Sequence, residues 1–408
     1  MNFDFSTIID DRSSATISLL SDLIAFPSTV GNDRGVQDYL LDYLTGLGFD
    51  AGLVPIQPGI EQDEDYTTVV GHQGYADRYN LVFTIPGSGD GRSVILNSHV
   101  DVVPAGEEMF RPRVEGDTIS GRGAVDAKGQ VVTILLAVTA LKEAGIRLKG
   151  DVTVQLVIEE EVGGNGALSV IMDGMKADGV VVCEPTSCQV YPANRGAIWF
   201  KLAIEGRSTH MGRWRDGVNA VDEMMETLRI LQDWEKRLVE ESKGDPLFPD
   251  PGANIKFNIG TIRAEGWPSM VAGRCVVEGG VGFLPNKMLS DIRDEMRHEI
   301  ETRASEWTRE HYTLEFNRLH NAAYRTPPEH PLMRTFHEAV VANGGPLEVI
   351  GWSASCDARL FWHRGGMPTL CFGAGKFPYA HSDEEQITVG EINAAAKILA
   401  DFLTRWCE

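Results

Sequence analysis

The sequence predicts an α/β fold: a domain with a central mixed sheet flanked by helices, interrupted by an inserted α+β domain. Three observations predict it. Up to residue 193, short apolar runs alternate with helical apolar stripes. From 194 to 317 the order changes to a strand, a long helix, two strands, a second long helix and a strand. From 318 to 408 the chain returns to helix, strand and helix, so 1–193 and 318–408 read as two parts of one domain around the insertion.

The elements follow in order. Residues 14–25 place Ile17, Leu19, Leu20, Leu23 and Ile24 at helical spacing, with Pro27 just beyond. Residues 35–47 repeat the pattern and stop at Gly48. Strands are expected at 79–85 and 93–97, with Gly87-Ser88-Gly89-Asp90-Gly91 as a hairpin turn between them. A long apolar helix covers 127–144 and ends at Gly145, a residue suited to a left-handed C-terminal position. Residues 151–158 read as a strand, 166–175 as a helix and 179–183 (Gly-Val-Val-Val-Cys) as a buried strand. In the insertion, strands are expected at 197–204, 256–262, 274–281 and 312–316. Val221, Met225, Leu228, Leu231, Trp234 and Leu238 mark one face of its first helix, and Leu289, Ile292, Met296 and Ile300 stripe its second. A helix at 331–343, a strand at 367–372 and a helix at 389–406 complete the chain.

Composition excludes several classes. The net charge is −22, from 37 basic and 59 acidic residues, and no Lys/Arg block could form a nucleic-acid face. The apolar run 131–141 is too short to span a bilayer. Residues 1–5 contain an acid and no apolar signal core. The six cysteines form no CxxC pair, so reduced thiols in a cytoplasmic protein are expected rather than a disulfide framework.

Five short segments carry the chemistry: Asn97-Ser98-His99-Val100-Asp101, Gly121 to Asp126, Glu159-Glu160-Glu161-Val162-Gly163-Gly164, Cys183-Glu184-Pro185-Thr186 and Ala380-His381-Ser382-Asp383-Glu384. Most follow an apolar β-like run. Three adjacent acids behind such a run repel one another unless a cation sits among them, so the pattern reads as a carboxylate-rich site for two divalent metals. On a strand, His99 and Asp101 share a face, which lets Asp101 hold one imidazole N–H while the other nitrogen binds metal. Asp126 opens a helix, where it could cap the N-terminus or bridge two ions. Simple alternation puts Glu159 and Glu161 on one face and leaves open which acid is ligand and which is base.

These motifs resemble the M20 metallopeptidase family, within it the acetylornithine deacetylase and succinyl-diaminopimelate desuccinylase branch. The likeness rests on His99 to Pro104, Gly121 to Gly129, the glutamates before the glycine turn, Cys183 to Thr186 and the late Ala380-His381-Ser382. It extends to Arg195-Gly196, Gly206 to His210 and Ser355 to Arg359, so nearly the whole chain is covered. The resemblance implies a catalytic domain with an inserted lid and dimerisation domain. It implies His99, Asp126 and Glu184 for one metal, and Asp126, Glu161 and His381 for the other. Glu160 would be the general base, Asp101 the partner of His99, and His210 an oxyanion donor reaching the site of a partner subunit. Zinc suits these donors best, with cobalt or manganese as alternatives.

The implied activity is hydrolysis of the amide of a small N-acyl amino acid or related N-acyl amine, by a homodimer. Alternatives are a dipeptidase or carboxypeptidase, a hydrolase of aryl or heterocyclic amides, and an inactive metal-binding interaction protein. The lid departs from the family pattern. Where relatives place an Asn before a Val-Ile-Pro turn, this chain has Trp267-Pro268-Ser269-Met270-Val271-Ala272; where they place an Arg three residues before a Pro, it has Gly282. Arg359 and Arg195 are the candidate substrate-binding replacements, with Arg213 and Arg215 as further options.

Overall fold

The computed structural model describes residues 6–69, 74–316 and 318–408. Residues 1–5, which carry the signal-segment reading, and Asn317, the expected end of the insertion, lie outside them. The chain divides into two compact units: Met1–Ala193, Thr326–Ile350 and Cys356–Glu408 form one, Asn194–Arg325 and Gly351–Ser355 the other. The second unit thus runs past residue 317 and takes a short later piece. No described helix is long and apolar enough to cross a membrane.

The first unit is built on a six-stranded mixed sheet. Its strands lie in the order Ala51–Pro55, Tyr79–Ile85, Val152–Val157, Val94–His99, Val180–Cys183 and Thr369–Phe372. The last four run parallel. The first two are antiparallel to their neighbours. Strands Val94–His99, Val180–Cys183 and Thr369–Phe372 are buried at every position. That matches their near-continuous apolar sequence, because a parallel strand covered on both faces has no solvent side. Helix Lys128–Glu143 packs against Val389–Trp406 and against Val94–His99; its buried residues run without a break from Lys128 to Leu141.

One expectation fails here. Strands Tyr79–Ile85 and Val94–His99 do not form a hairpin, because Val152–Val157 lies between them. The Gly-rich link instead packs along the segment before that strand: Ser88 N–H donates to the Leu148 carbonyl at 2.9 Å and Gly87 N–H to Asp151 Oδ1 at 2.7 Å. The glycines permit this approach, since a Cβ on Gly87 would fall 2.1 Å from the Lys149 carbonyl oxygen.

The second unit is an antiparallel sheet ordered Lys256–Glu265, Arg274–Phe283, Gly196–Glu205 and Tyr312–Glu315, with His320–Asn321 also on Gly196–Glu205. Helices Ala220–Glu241 and Leu289–Arg303 pack on each other, and Trp234 Nε1–H donates to Glu295 Oε2 at 2.8 Å between them. The buried stripe of the first helix is Met224, Leu228, Leu231, Trp234 and Leu238. Each contributes roughly 1.5–3 kcal/mol relative to exposure. Met225 is exposed, so the expected stripe is out of phase in its first turn: Met224 and not Met225 is buried.

Candidate metal centre

The site lies beyond the carboxyl ends of the parallel strands, where open α/β sheets present their ligands. His99 ends Val94–His99 and pairs in register with Val157, so it stands beside the Glu159-Glu160-Glu161 turn. Glu184 follows Val180–Cys183 directly, and the chain beyond Thr369–Phe372 leads on to His381.

Asp126 joins the two histidines. Its Oδ1 lies 3.2 Å from His99 Nε2, and its Oδ2 lies 3.2 Å from His381 Nε2. His381 Nε2 also lies 2.9 Å from Glu161 Oε2. Glu160 Oε2 is 4.0 Å from His99 Nε2. Candidate ligand atoms of His99, Glu160 and Glu184 fall within 4.8 Å of one another, as do those of His99, Asp126 and Glu161. Asp126 does not cap the helix, which starts at Lys128 with Ala127 as the flanking residue and no side-chain cap. The Asp126 carboxylate is committed to the histidines instead. The Asp126–Ala127 peptide is cis.

The glutamates do not alternate. Glu159 has φ 62°, which ends the strand, and Glu160–Val162 form a tight helical turn. Such left-handed backbone is costly for a non-glycine residue and is found where surroundings hold it; His381, at φ 60°, shares it. Glu159 is turned away from Glu161. It pairs with Arg78 and accepts from Tyr75 Oη–H and Asn165 Nδ2–H, each at 2.8 Å. Arg78 also pairs with Asp33 at 2.9 Å, and all three charged groups are buried. Leaving such buried charges unpaired costs on the order of 3–5 kcal/mol. The turn itself depends on Gly164, at φ 81°, where a Cβ would fall 2.3 Å from Asp357 Oδ1.

Asp101 touches both His99 and the glutamate turn. His99 Nδ1 faces the Asp101 carbonyl oxygen at 2.9 Å and the carboxylate only at 3.5 Å. The carboxylate accepts the backbone N–H groups of Glu160 and Glu161, each at 3.2 Å. Asp101 therefore lies beyond the strand end, where the shared-face rule no longer holds, and ties the glutamate turn to the histidine strand. Sequence reasoning missed Glu385, whose carboxylate accepts from the N–H groups of Val125 and Asp126 at 3.1 Å and pairs with Arg122 at 2.5 Å. Its only signal is adjacency to the Ala380–Glu384 motif.

The charges fit a divalent cation. Burial drives the Glu160 and Glu184 carboxyls well above the usual range, against the pull of His99. Burial and the charge of Asp126 push Glu161 up to about 7. Burial also acts to raise Asp126, yet hydrogen bonds from His381 and His99 outweigh it and hold the group below the usual carboxylate range. Bonds to Asp126 and Glu161 raise His381 to about 10. With its Nδ1–H given to the Asp101 carbonyl, His99 turns Nε2 toward a carboxylate oxygen, a contact that needs a proton or a cation between the lone pairs. Buried oxygen donors and the buried His99 imidazole, with the exposed His381 at their edge and more negative charge than the side chains offset, are what such ions take.

Arg359 is buried in the first unit and donates to the Gly163 carbonyl at 2.8 Å, bracing the glutamate turn. Arg195 belongs to the second unit and donates to the Asn254 carbonyl at 2.9 Å. Its guanidinium occupies the space above Gly282, where a Cβ would fall 2.7 Å from Nη1. It lines a cavity of about 730 Å³ on the sheet face with Lys256 and Trp199. His210 is also in the second unit, exposed, with Nδ1 accepting from Gly212 N–H at 3.0 Å.

Comparison with known proteins follows this geometry. Over its full length the chain is similar to an N-formyl-4-amino-5-aminomethyl-2-methylpyrimidine deformylase of Halalkalibacterium halodurans, 26% identical and covering 98% of this chain and 96% of that one. An acetylornithine deacetylase of Photorhabdus laumondii is 23% identical, covering 96% and 97%. Among solved structures, a tripeptidase from Staphylococcus aureus shares the fold, with a TM-score of 0.76 at 17% identity over 97% of this chain and 98% of that one. So does a dinuclear metal binding peptidase from the M20 family of Bacillus subtilis, at 0.68 and 13% identity over 97% and 98%. The family model for peptidase family M20/M25/M40 matches residues 95–405, a span holding all the histidines and carboxylates gathered around Asp126. The chain belongs to that family, and is a metal-binding hydrolase of amide bonds.

Proposed function

We propose that the protein is a deacylase that removes the acyl group from a small N-acyl amine with the help of two divalent ions. The observation that carries this reading is Asp126, which offers one carboxylate oxygen to each of two histidines. His99, Asp126 and Glu184 would hold one ion, and Asp126, Glu161 and His381 the other. Zinc suits the donor set, and cobalt or manganese would also fit. Such ions, when bound, polarise an amide carbonyl and make water acidic.

The side chains then divide the work. Glu160 stands beside His99 but farther from it than Asp126, and burial raises its carboxyl well above the usual range. Such a carboxylate takes a proton from the attacking water and delivers it to the leaving amine. Asp101 positions Glu160 by holding its backbone amide. His210 accepts at Nδ1, so its ring proton is on Nε2 and can be donated to the developing oxyanion.

We place His210 across a homodimer formed through the second unit. The edge strand Lys256–Glu265 supports this, since among the described residues it pairs only with Arg274–Phe283. Mixing His210→Ala and Glu160→Ala chains is expected to restore partial activity; no restoration despite proven subunit exchange contradicts the dimer arrangement. The six free cysteines suit a reducing compartment, and the cytoplasm is the proposed location.

Two substrate classes compete. N-acyl amino acids would need a cation for the α-carboxylate, which Arg195 above Gly282 or Arg359 could supply. A neutral heterocyclic amide is favoured by the similarity to the pyrimidine deformylase over 98% of the chain. A panel of N-acetyl amino acids, dipeptides and N-formyl arylmethylamines, tested on metal-loaded protein, separates them. Release of amine from the N-acyl compounds is expected, and cleavage of the dipeptides alone would overturn the deacylase reading.

A further inference from the structure

Two separate segments of the second unit meet at His210. Met211 N–H donates to the Ser269 carbonyl at 2.8 Å, Val271 N–H donates to the Thr209 carbonyl at 2.9 Å, and His210 and Met270 form a β-bridge between these bonds. Four large apolar side chains on these segments are exposed: Met211 at 58%, Trp214 at 62%, Trp267 at 70% and Met270 at 47%. Four exposed large apolar side chains on two paired segments that meet at His210 suit a binding surface.

Its charge is as informative as its size. Residues 266–273 contain no ionisable side chain, in a chain of which 24% is charged. On the turn after His210, Arg213 pairs with Asp216 at 2.8 Å, and the Arg215 guanidinium lies 5.3 Å from the Trp214 ring centroid. Residues 266–273 thus offer a polarisable, uncharged surface, bordered by these charges on the neighbouring turn and by one oriented donor, His210 Nε2–H. Indole faces and methionine sulfur favour aromatic rings. A donor among them suits a ligand with a single strong acceptor, such as an amide oxygen.

We infer that Trp267 and Met270, with Met211 and Trp214, seat the uncharged aromatic ring of the substrate whose amide oxygen His210 receives. This rests on the deacylase reading and on the role given there to His210. It makes residues 266–273 a determinant of specificity: an N-acyl arylmethylamine gains contacts there that an aliphatic amide lacks.

The test uses full-length, metal-loaded protein and two substrates, N-formylbenzylamine and N-formylbutylamine. Trp267→Ala is expected to lower the ratio of kcat/KM for the aromatic over the aliphatic substrate by about tenfold, the scale of one aromatic contact. Met270→Asn is expected to lower the ratio in the same direction, and Trp267→Phe to keep it near the wild-type value. An unchanged ratio in Trp267→Ala and Met270→Asn overturns the inference. So does an equal loss on both substrates accompanied by dissociation into monomers in sedimentation, which would assign the surface to a second copy of the chain. If wild-type protein cleaves the aliphatic amide without preferring the aromatic one, the seat fails while the deacylase reading stands. If it cleaves neither, the deacylase reading fails and the seat with it.

Discussion

Replacing Glu160 by alanine is expected to lower turnover by roughly 10²–10⁴-fold, the range of a lost general base, while metal content stays at the wild-type level. The geometry separates the two effects. Glu160 stands 4.0 Å from His99 Nε2, whereas Asp126 stands at 3.2 Å from the same atom. The backbone of Glu160 is held by Asp101 independently of its side chain, so truncation leaves the turn in place. Turnover near the wild-type rate contradicts the assigned base. Loss of an ion in the variant would instead make Glu160 a ligand, a role its position near His99 and Glu184 also permits.

Asp126→Ala is expected to remove both ions and reduce hydrolysis to background. One carboxylate faces two histidines, so its loss strips a donor from each half of the site. Its effect on metal affinity should exceed the roughly 10–100-fold typical of a supporting residue. His381→Ala is the contrast: it touches Asp126 and Glu161 but not His99, and one ion is expected to remain. The number of ions per chain, measured by elemental analysis after gel filtration, checks both variants. Retention of two ions by Asp126→Ala would rule out a bridging carboxylate.

The alternation of apolar runs and helical stripes was enough to predict the α/β sheet and the α+β order of the insertion, because parallel strands buried on both faces have nearly uninterrupted apolar sequences. The same rule exposed the site. His99, Glu160 and Glu184 each lie at or just after the carboxyl end of such a run, and a polar group there has no packing reason to be present. What stayed hidden depends on backbone turns and distant partners. The left-handed conformation of Glu159 breaks the two-residue period, so alternation misplaces that side chain. Its partner Arg78, and the Asp33 that pairs with Arg78, lie far away in sequence, with no pattern that links them to it. The insertion of Val152–Val157 between two consecutive strands is a crossover that local turn chemistry cannot reveal. Asp126 looks like a helix cap because caps and ligands use the same residue; only its two histidine neighbours distinguish them.

The substrate is the part least fixed by these residues. The ligand set points to hydrolysis of an amide and leaves the acyl group and the amine open. The histidines and carboxylates around Asp126 are proposed to hold two ions that support deacylation. Titration of metal-free protein with zinc, while amine release from N-formyl and N-acetyl amides is followed, checks this. Activity that rises to a plateau at two ions per chain is the predicted result. A full complement of two ions with no hydrolysis of any amide in the panel would contradict the account.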